Sequence, residues 1–135
     1  MRRQFQIITE KELKNYIHQY DIVIVDLRDS EEYHAGHIPG AVNIPYDELV
    51  HSLHRLKAYR YILLYCDKGT TSLMAARTLS QMGYPVIDIS GGIESYHGEL
   101  TTQQITSPSS EQTDKTFYRF DFPEILLSAI AATQP

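Results

Sequence analysis

The sequence predicts an α/β protein with a central, mostly parallel sheet and helices on both faces. Two continuous apolar runs, IVIVD at 22–26 and YILLY at 61–65, are typical of strands that are buried on both sides. Helical patterns separate these runs, and strands that alternate with helices favour parallel pairing. The third observation is Cys66, the only cysteine among 135 residues, which directly follows the second run. In such sheets, ligands bind beyond the carboxyl ends of the strands.

Each remaining element has its own local signal. Thr9 and Glu12 match a capping box at the start of a helix. Leucines spaced by four and three residues indicate one buried helical face over 47–56. Ser72 is predicted to cap the helix that follows Cys66, and Gly83 is predicted to stop that helix. In chain order, the predicted elements are a strand at 5–8, a helix over about 10–18, a strand at 22–26, a helical turn near 30–35, an extended segment within 37–45, a helix over 47–56, a strand at 61–65, a helix from Ser72 to about Met82, a strand at 85–90 and a short helix at 93–98.

The carboxyl-terminal part of the chain has a different composition. Residues 101–116 are polar and predict a linker after a domain at 1–100. Residues 117–135 form an apolar C-terminal segment in which Pro123 can begin a short docking helix. The stretch 117–132 either covers its own domain or binds a protein partner or a second copy of the chain.

Composition argues against several functional classes. The formal net charge of −5 provides no basic field for nucleic acid or anionic lipid. No run approaches the roughly 18 apolar residues of a membrane span, and the first residues do not form a signal peptide. One cysteine cannot form an intramolecular disulfide. We therefore expect a reducing cytoplasm and neither a nucleic-acid partner nor a membrane.

The chemistry predicted for Cys66 depends on its position between a strand and a helix. A short loop containing Gly69 can turn several backbone N–H groups toward the sulfur, and the helix N-terminus adds positive potential. A hydrogen bond to a charged acceptor contributes about 1.5–3 kcal/mol, against about 0.3–1 kcal/mol for the helix dipole. The amides should therefore dominate, with Lys68 adding a cation and Asp67 opposing it. This environment predicts a thiolate nucleophile that accepts one sulfur atom as a persulfide and passes it on.

Three motifs resemble the rhodanese-like domain family. The stretch DLRDSEEYHAGHIPGAVNIP at 26–45 resembles the N-terminal signature of the family. YCDKGTTSLMAARTLSQMGY at 65–84 is similar to its active-site loop and following helix, and SGGIESY at 90–96 to its closing Gly-Gly motif. The resemblance covers about residues 5–98 and implies a rhodanese-like fold. It also implies a single-domain sulfurtransferase without metal or organic cofactor, acting on a small sulfur-containing anion, such as thiosulfate or a related persulfide, and a thiol acceptor.

The same resemblance implies roles for individual residues. Cys66 is the persulfide-forming residue, and the loop that follows it lines the anion pocket. Asp26 and Arg28 are implied to support the loop geometry through an ion pair, for which Glu32 is a candidate partner. The implied pocket residues are Asp67, Lys68, Gly69, Thr70, Thr71 and Ser72. Asp67 and Thr71 stand where the family often has arginine, which reduces the expected affinity for thiosulfate.

Other interpretations remain open at this point. The chain could be a binding or regulatory module with little turnover, or a sulfur relay to one acceptor protein. A cysteine phosphatase or arsenate reductase would need an arginine six positions after the cysteine, where this chain has Ser72. Cys66 itself could be a buried structural cysteine. His51 and His54 have a spacing that could bind metal, but no further ligand completes a site.

Overall fold

A computed structural model describes residues 5–104 of the chain. The chain divides into two compact units, Met1–Gln104 and Ile105–Pro135. The predicted C-terminal segment 117–135 and most of the predicted linker 101–116 lie outside the described residues, so their predicted roles stay predictions.

A five-stranded parallel sheet forms the centre of the described unit. Its spatial order is β1-β5-β4-β2-β3, and all neighbouring strands are parallel. This confirms the predicted fold class, and the two apolar runs form strands with the predicted bounds. The strands are β1 (Gln6–Ile8), β2 (Ile22–Asp26), β3 (Ala41–Asn43), β4 (Tyr61–Tyr65) and β5 (Val86–Ile89).

Helices of two kinds connect these strands. The α-helices in the described residues are α1 (Ser30–Ala35) and α2 (Thr70–Gln81). The helices predicted over 10–18, 47–56 and 93–98 are 3-10 helices, and the first and last are shorter than predicted. Their bounds are Glu12–Asn15, Tyr46–Leu56 and Ile93–Ser95. The leucine spacing identified the buried side of the middle helix, but it does not determine which hydrogen-bond pattern the backbone adopts.

Helix α2 begins three residues earlier than expected for a helix capped by Ser72. Gly69 occupies the N-cap position with φ of 110°, a left-handed conformation that glycine adopts without strain. Ser72 therefore lies within the first turn, so its predicted role as the helix cap is wrong. Its side chain is buried and donates a hydrogen bond elsewhere, as described below.

The core lies on both faces of the sheet. Along β2, Val23 and Val25 contribute to one apolar cluster and Ile24 to the other. Helix α2 packs on the first face through Ala76, whereas Tyr33 of α1 belongs to the second cluster. Because both faces are covered, the central strands are continuously apolar. Each fully buried aliphatic side chain contributes about 1.5–3 kcal/mol relative to an exposed one.

The described chain ends alongside His37. The backbone groups of His37 and Thr101 exchange two hydrogen bonds of 2.9 and 2.8 Å in an isolated antiparallel bridge. The His37 ring also lies 2.9 Å from the carbonyl oxygen of Gln103 through Nε2. The first residues of the predicted linker are thus held against the domain. Among residues 5–104, no helix combines the length and apolar character needed to cross a bilayer.

Candidate active site

The carboxyl ends of β2 and β4 lie side by side. Asp26 and Tyr65, the last residues of the two strands, are partners in the parallel register. The backbone N–H of Leu27 donates to the carbonyl oxygen of Tyr65 at 2.9 Å. Cys66 and Arg28 therefore emerge from the same edge of the sheet, where parallel α/β proteins bind ligands.

The sulfur of Cys66 accepts hydrogen bonds from the loop that follows it. The backbone N–H groups of Gly69 and Ser72 both lie 3.2 Å from Sγ. Ser72 is in the first turn of α2, so this amide would otherwise lack an intrahelical partner. Although Cys66 is only 5% exposed, its sulfur faces polar donors rather than a closed apolar interior. Amides directed at sulfur stabilise its negatively charged form.

The Gly-Gly segment after β5 holds this loop in shape. The carbonyl oxygens of Cys66 and Asp67 accept hydrogen bonds of 2.9 and 3.1 Å from the N–H groups of Ile93 and Glu94. Gly92 has φ of 64°, and a Cβ there would collide with the Asp67 carbonyl and lie 2.6 Å from the Cys66 carbonyl oxygen. These two hydrogen bonds fix the start of the loop, whose later amides at Gly69 and Ser72 turn toward the sulfur.

A buried side-chain pair fixes one of the two amides. Ser72 Oγ donates to Asp88 Oδ1 at 2.6 Å, and both residues are almost fully buried. Burial raises the pKa of Asp88, and the hydrogen bond from Ser72 offsets part of that rise. Sequence reasoning missed Asp88, although a carboxylate inside the apolar strand VIDI was a signal that it needs a buried partner.

The neighbouring strand end carries a buried ion pair. Arg28 Nη2 lies 2.8 Å from Asp26 Oδ2, and Arg28 Nε donates to both carboxylate oxygens at 3.1 and 3.2 Å. Tyr65 adds a hydroxyl hydrogen bond of 2.6 Å to the same carboxylate. Burial opposes the charge of Arg28, but the Asp26 carboxylate outweighs it, so the pKa of Arg28 is raised. Burial, together with the Asp26 charge, strongly raises the pKa of Tyr65.

The ion pair predicted around Arg28 has a different partner from the one suggested. Arg28 pairs with Asp26, and its Nη2 also donates to the carbonyl oxygen of Gly36 at 2.7 Å. Glu32 instead accepts from the backbone N–H of Asp29 at 3.3 Å and completes a capping box at the start of α1. Glu32 therefore stabilises the adjoining helix, and the suggestion that it pairs with Arg28 is wrong.

An open cavity of about 530 Å³ adjoins the sulfur. Most of the predicted site residues line this cavity. Gly69 and Ser72 are not among the lining residues, but their backbone amides bind the Cys66 sulfur. Asp26 is not a lining residue either and pairs with Arg28, which is. Tyr46, Leu27 and Asp29 line the cavity without having been predicted; Tyr46 comes from a segment distant in sequence from Cys66, whereas Leu27 and Asp29 are neighbours of the predicted Arg28. The lining residues are Leu27, Arg28, Asp29, Glu32, Tyr46, Cys66, Asp67, Lys68, Thr70 and Thr71.

The arrangement suits a nucleophilic sulfur with an accessible substrate space. Within residues 5–104, no three His, Cys, Asp or Glu side chains assemble as a metal-ligand set. The arginine on the cavity wall, Arg28, has its guanidinium engaged by Asp26 and Gly36, so it is not free to clamp a phosphoryl group. What remains is a cysteine sulfur at which two backbone amides are directed.

Comparison with known proteins gives consistent matches. The model of the rhodanese-like domain matches residues 9–99. A rhodanese-like domain protein from Staphylococcus aureus is 28% identical with a TM-score of 0.66, covering 74% of this chain and 100% of that one. A rhodanese-related protein from Thermoplasma volcanium is 27% identical with a TM-score of 0.64, covering 73% and 100%. A thiosulfate sulfurtransferase from Pseudomonas aeruginosa, at 23% identity, shares the fold with a TM-score of 0.61 over 71% of this chain and 18% of that one.

Proposed function

Because this chain belongs to the rhodanese-like domain family, we propose that it is a sulfurtransferase that carries one sulfur atom on Cys66. The observation that supports the proposal is the pair of amides, from Gly69 and Ser72, directed at Sγ beside an open cavity. The donor is thiosulfate or a related persulfide, and the acceptor is a thiol or another thiophile. The reaction suits a reducing cytoplasm, where a free thiol persists.

The proposed reaction has two transfers through one covalent intermediate. The Cys66 thiolate attacks the outer sulfur of the donor, a new S–S bond forms, and the donor's own bond to that sulfur breaks. With thiosulfate, sulfite leaves with the electron pair and Cys66 becomes a persulfide. An acceptor thiolate then attacks the outer sulfur and releases the Cys66 thiolate. The Gly69 and Ser72 amides stabilise negative charge on the cysteine sulfur as it leaves.

Sulfur loading provides a direct test. The purified chain is incubated with thiosulfate, its intact mass is measured, and thiocyanate is assayed after addition of cyanide. We expect a mass increase of one sulfur atom on Cys66 and thiocyanate formation. The Cys66→Ala variant is the control and should show neither. No added sulfur from thiosulfate or from any small persulfide, together with thiocyanate at the level of that control, would rule the proposal out.

A further inference from the structure

The charges on the cavity wall favour one class of donor. We propose that the physiological donor is a small persulfide whose carrier bears an ammonium group, and that the thiosulfate dianion is a poor substrate. This inference rests on the proposed function and specifies its donor. Three acidic residues line the cavity: Asp29, Glu32 and Asp67. The cations on the same wall are Arg28 and Lys68.

The Arg28 charge is already neutralised by a buried partner. Its guanidinium lies 2.8 Å from the Asp26 carboxylate, and the two side chains are 9% and 0% exposed. At the distance of a ligand in the cavity, such a close pair acts as a dipole with little net attraction for an anion. Lys68 forms no salt bridge with another side chain in the described part of the chain. The wall therefore presents three carboxylates against one unpaired ammonium.

Two of these carboxylates are held in place by the backbone. Asp29 is the N-cap of α1, and its side chain accepts from a backbone N–H of the first turn. Glu32 in turn accepts a hydrogen bond from the backbone N–H of Asp29, which completes the capping box. Tyr46, an aromatic residue that is 46% exposed, lines the same wall. Carboxylates and an aromatic face both attract an ammonium group.

The sulfur-binding and carrier-binding parts of the cavity thus have different chemistry. The Gly69 and Ser72 amides bind the Cys66 sulfur and stabilise its negative charge, whichever donor supplies the transferred atom. The acidic wall contacts the rest of the donor. In the proposed step, the Cys66 thiolate attacks the outer sulfur of the protonated persulfide, whose S–S bond breaks. The carrier leaves as a thiolate with the electron pair, the outer sulfur keeps its proton on Cys66, and no oxidant or reductant is consumed.

Persulfides of similar size whose carriers differ in charge test the inference. 2-Aminoethyl, 2-hydroxyethyl and 2-carboxyethyl persulfides have similar size and carry a positive, neutral and negative carrier, and thiosulfate serves as the dianion. The second-order rate of Cys66 loading is followed by intact mass. Each rate is divided by that donor's rate with a small free thiolate, because the carrier thiolates differ as leaving groups. We expect the normalised rate of the aminoethyl donor to be about tenfold or more above that of the carboxyethyl donor at low salt, with the ratio approaching one at about 0.5 M salt. Equal normalised rates for the three persulfides, or a ratio that salt does not change, would overturn the inference while leaving sulfur transfer intact.

Variants that neutralise the three acidic residues test whether they cause the preference for a positively charged donor. The combined change Asp29→Asn, Glu32→Gln and Asp67→Asn removes three charges, while amide oxygens can still accept the capping hydrogen bonds. We expect the aminoethyl preference to be lost and the thiosulfate rate to rise on the order of tenfold. Glu31→Gln is the matched control, because Glu31 is an exposed carboxylate of α1 outside the cavity lining. An equal effect of Glu31→Gln, or none of the triple variant, would contradict the assignment. If no donor loads Cys66, the proposed function itself fails.

Discussion

The neighbouring strands β2 and β4 each end at a polar group, and the two groups differ in the partners that bind them. At the end of β2, the Asp26 carboxylate is fully buried and bound by the Arg28 guanidinium and the Tyr65 hydroxyl. Just beyond β4, the Cys66 sulfur accepts hydrogen bonds from two backbone amides at 3.2 Å and borders a cavity. A group saturated by side chains has no capacity left for a ligand, whereas a sulfur held by amides keeps a reactive side open. We call the end of β2, with Asp26, the structural strand end, and the end of β4, followed by Cys66, the chemical strand end.

The largest expected effect is on the chemical strand end. Cys66→Ser should reduce sulfur transfer to the uncatalysed level, because the hydroxyl is not a nucleophile of comparable strength at neutral pH. The fold should change in stability by only about 1 kcal/mol, since serine is of similar size and can accept the same amide hydrogen bonds. Cyanide-coupled transfer and urea unfolding measure the two quantities. A large loss of stability would mean that Cys66 is mainly a packing residue.

The structural strand end should respond in the opposite way. Arg28→Gln leaves the buried Asp26 carboxylate without its cation, so we expect a loss of about 3–5 kcal/mol in the free energy of unfolding. Arg60→Gln is the matched control, because the Arg60–Asp21 pair has side chains that are 53% and 35% exposed. Water replaces the partner there, so the loss should be much smaller. Urea unfolding of both variants measures these losses in the free energy of unfolding. Equal losses would show that the buried pair Arg28–Asp26 contributes no more to stability than the exposed pair Arg60–Asp21.

The loop backbone connects the comparison to the closing Gly-Gly motif. In Gly92→Ala, the added methyl group would meet the carbonyl oxygens that brace the Cys66 loop, so the amides should move away from Sγ. A displacement of about 1 Å can reduce a reaction rate on the order of a hundredfold. Gly83→Ala is the control, because φ is also positive there at 97° but nothing lies within 4 Å of the added Cβ. Gly83→Ala should lose some stability by strain alone and retain its transfer rate per folded molecule. Similar losses of activity in Gly92→Ala and Gly83→Ala would contradict the role of Gly92 in holding the Cys66 loop.

The two strand ends also differ in how far the sequence could predict them. The runs 22–26 and 61–65 and the position of Cys66 follow from local pattern, because burial on both faces demands continuous apolar residues. The partners of these groups are long-range and leave no local trace. Tyr65 belongs to an apolar strand and looks like core, yet its hydroxyl reaches Asp26, 39 positions away. Ser72 has a typical capping residue type, but a partner 16 positions downstream takes its hydroxyl.

That partner, Asp88, gives the last and smallest prediction. Like Asp26, it is a buried carboxylate that accepts from a hydroxyl, but it forms no salt bridge among the described residues. Burial raises its pKa in the folded state, so the folded chain holds this proton at pH values where the unfolded chain has lost it. The stability that Asp88 contributes is therefore complete below its ordinary pKa of 3.8 and is lost as pH rises toward the raised value.

Asp88→Asn tests this sign, because asparagine stays neutral and its carbonyl oxygen can still accept from Ser72. The variant should unfold at a higher temperature than the parent at about pH 8, and the difference should shrink as pH falls toward about 4. Sulfur loading should persist, because the Ser72 amide keeps its anchor beside Cys66. Thermal unfolding across this pH range makes the measurement. If the difference between Asp88→Asn and the parent grows as pH falls, the folded state prefers the ionised form of Asp88. Asp88 would then not differ from Asp26, whose carboxylate has a cation beside it, in the way argued above.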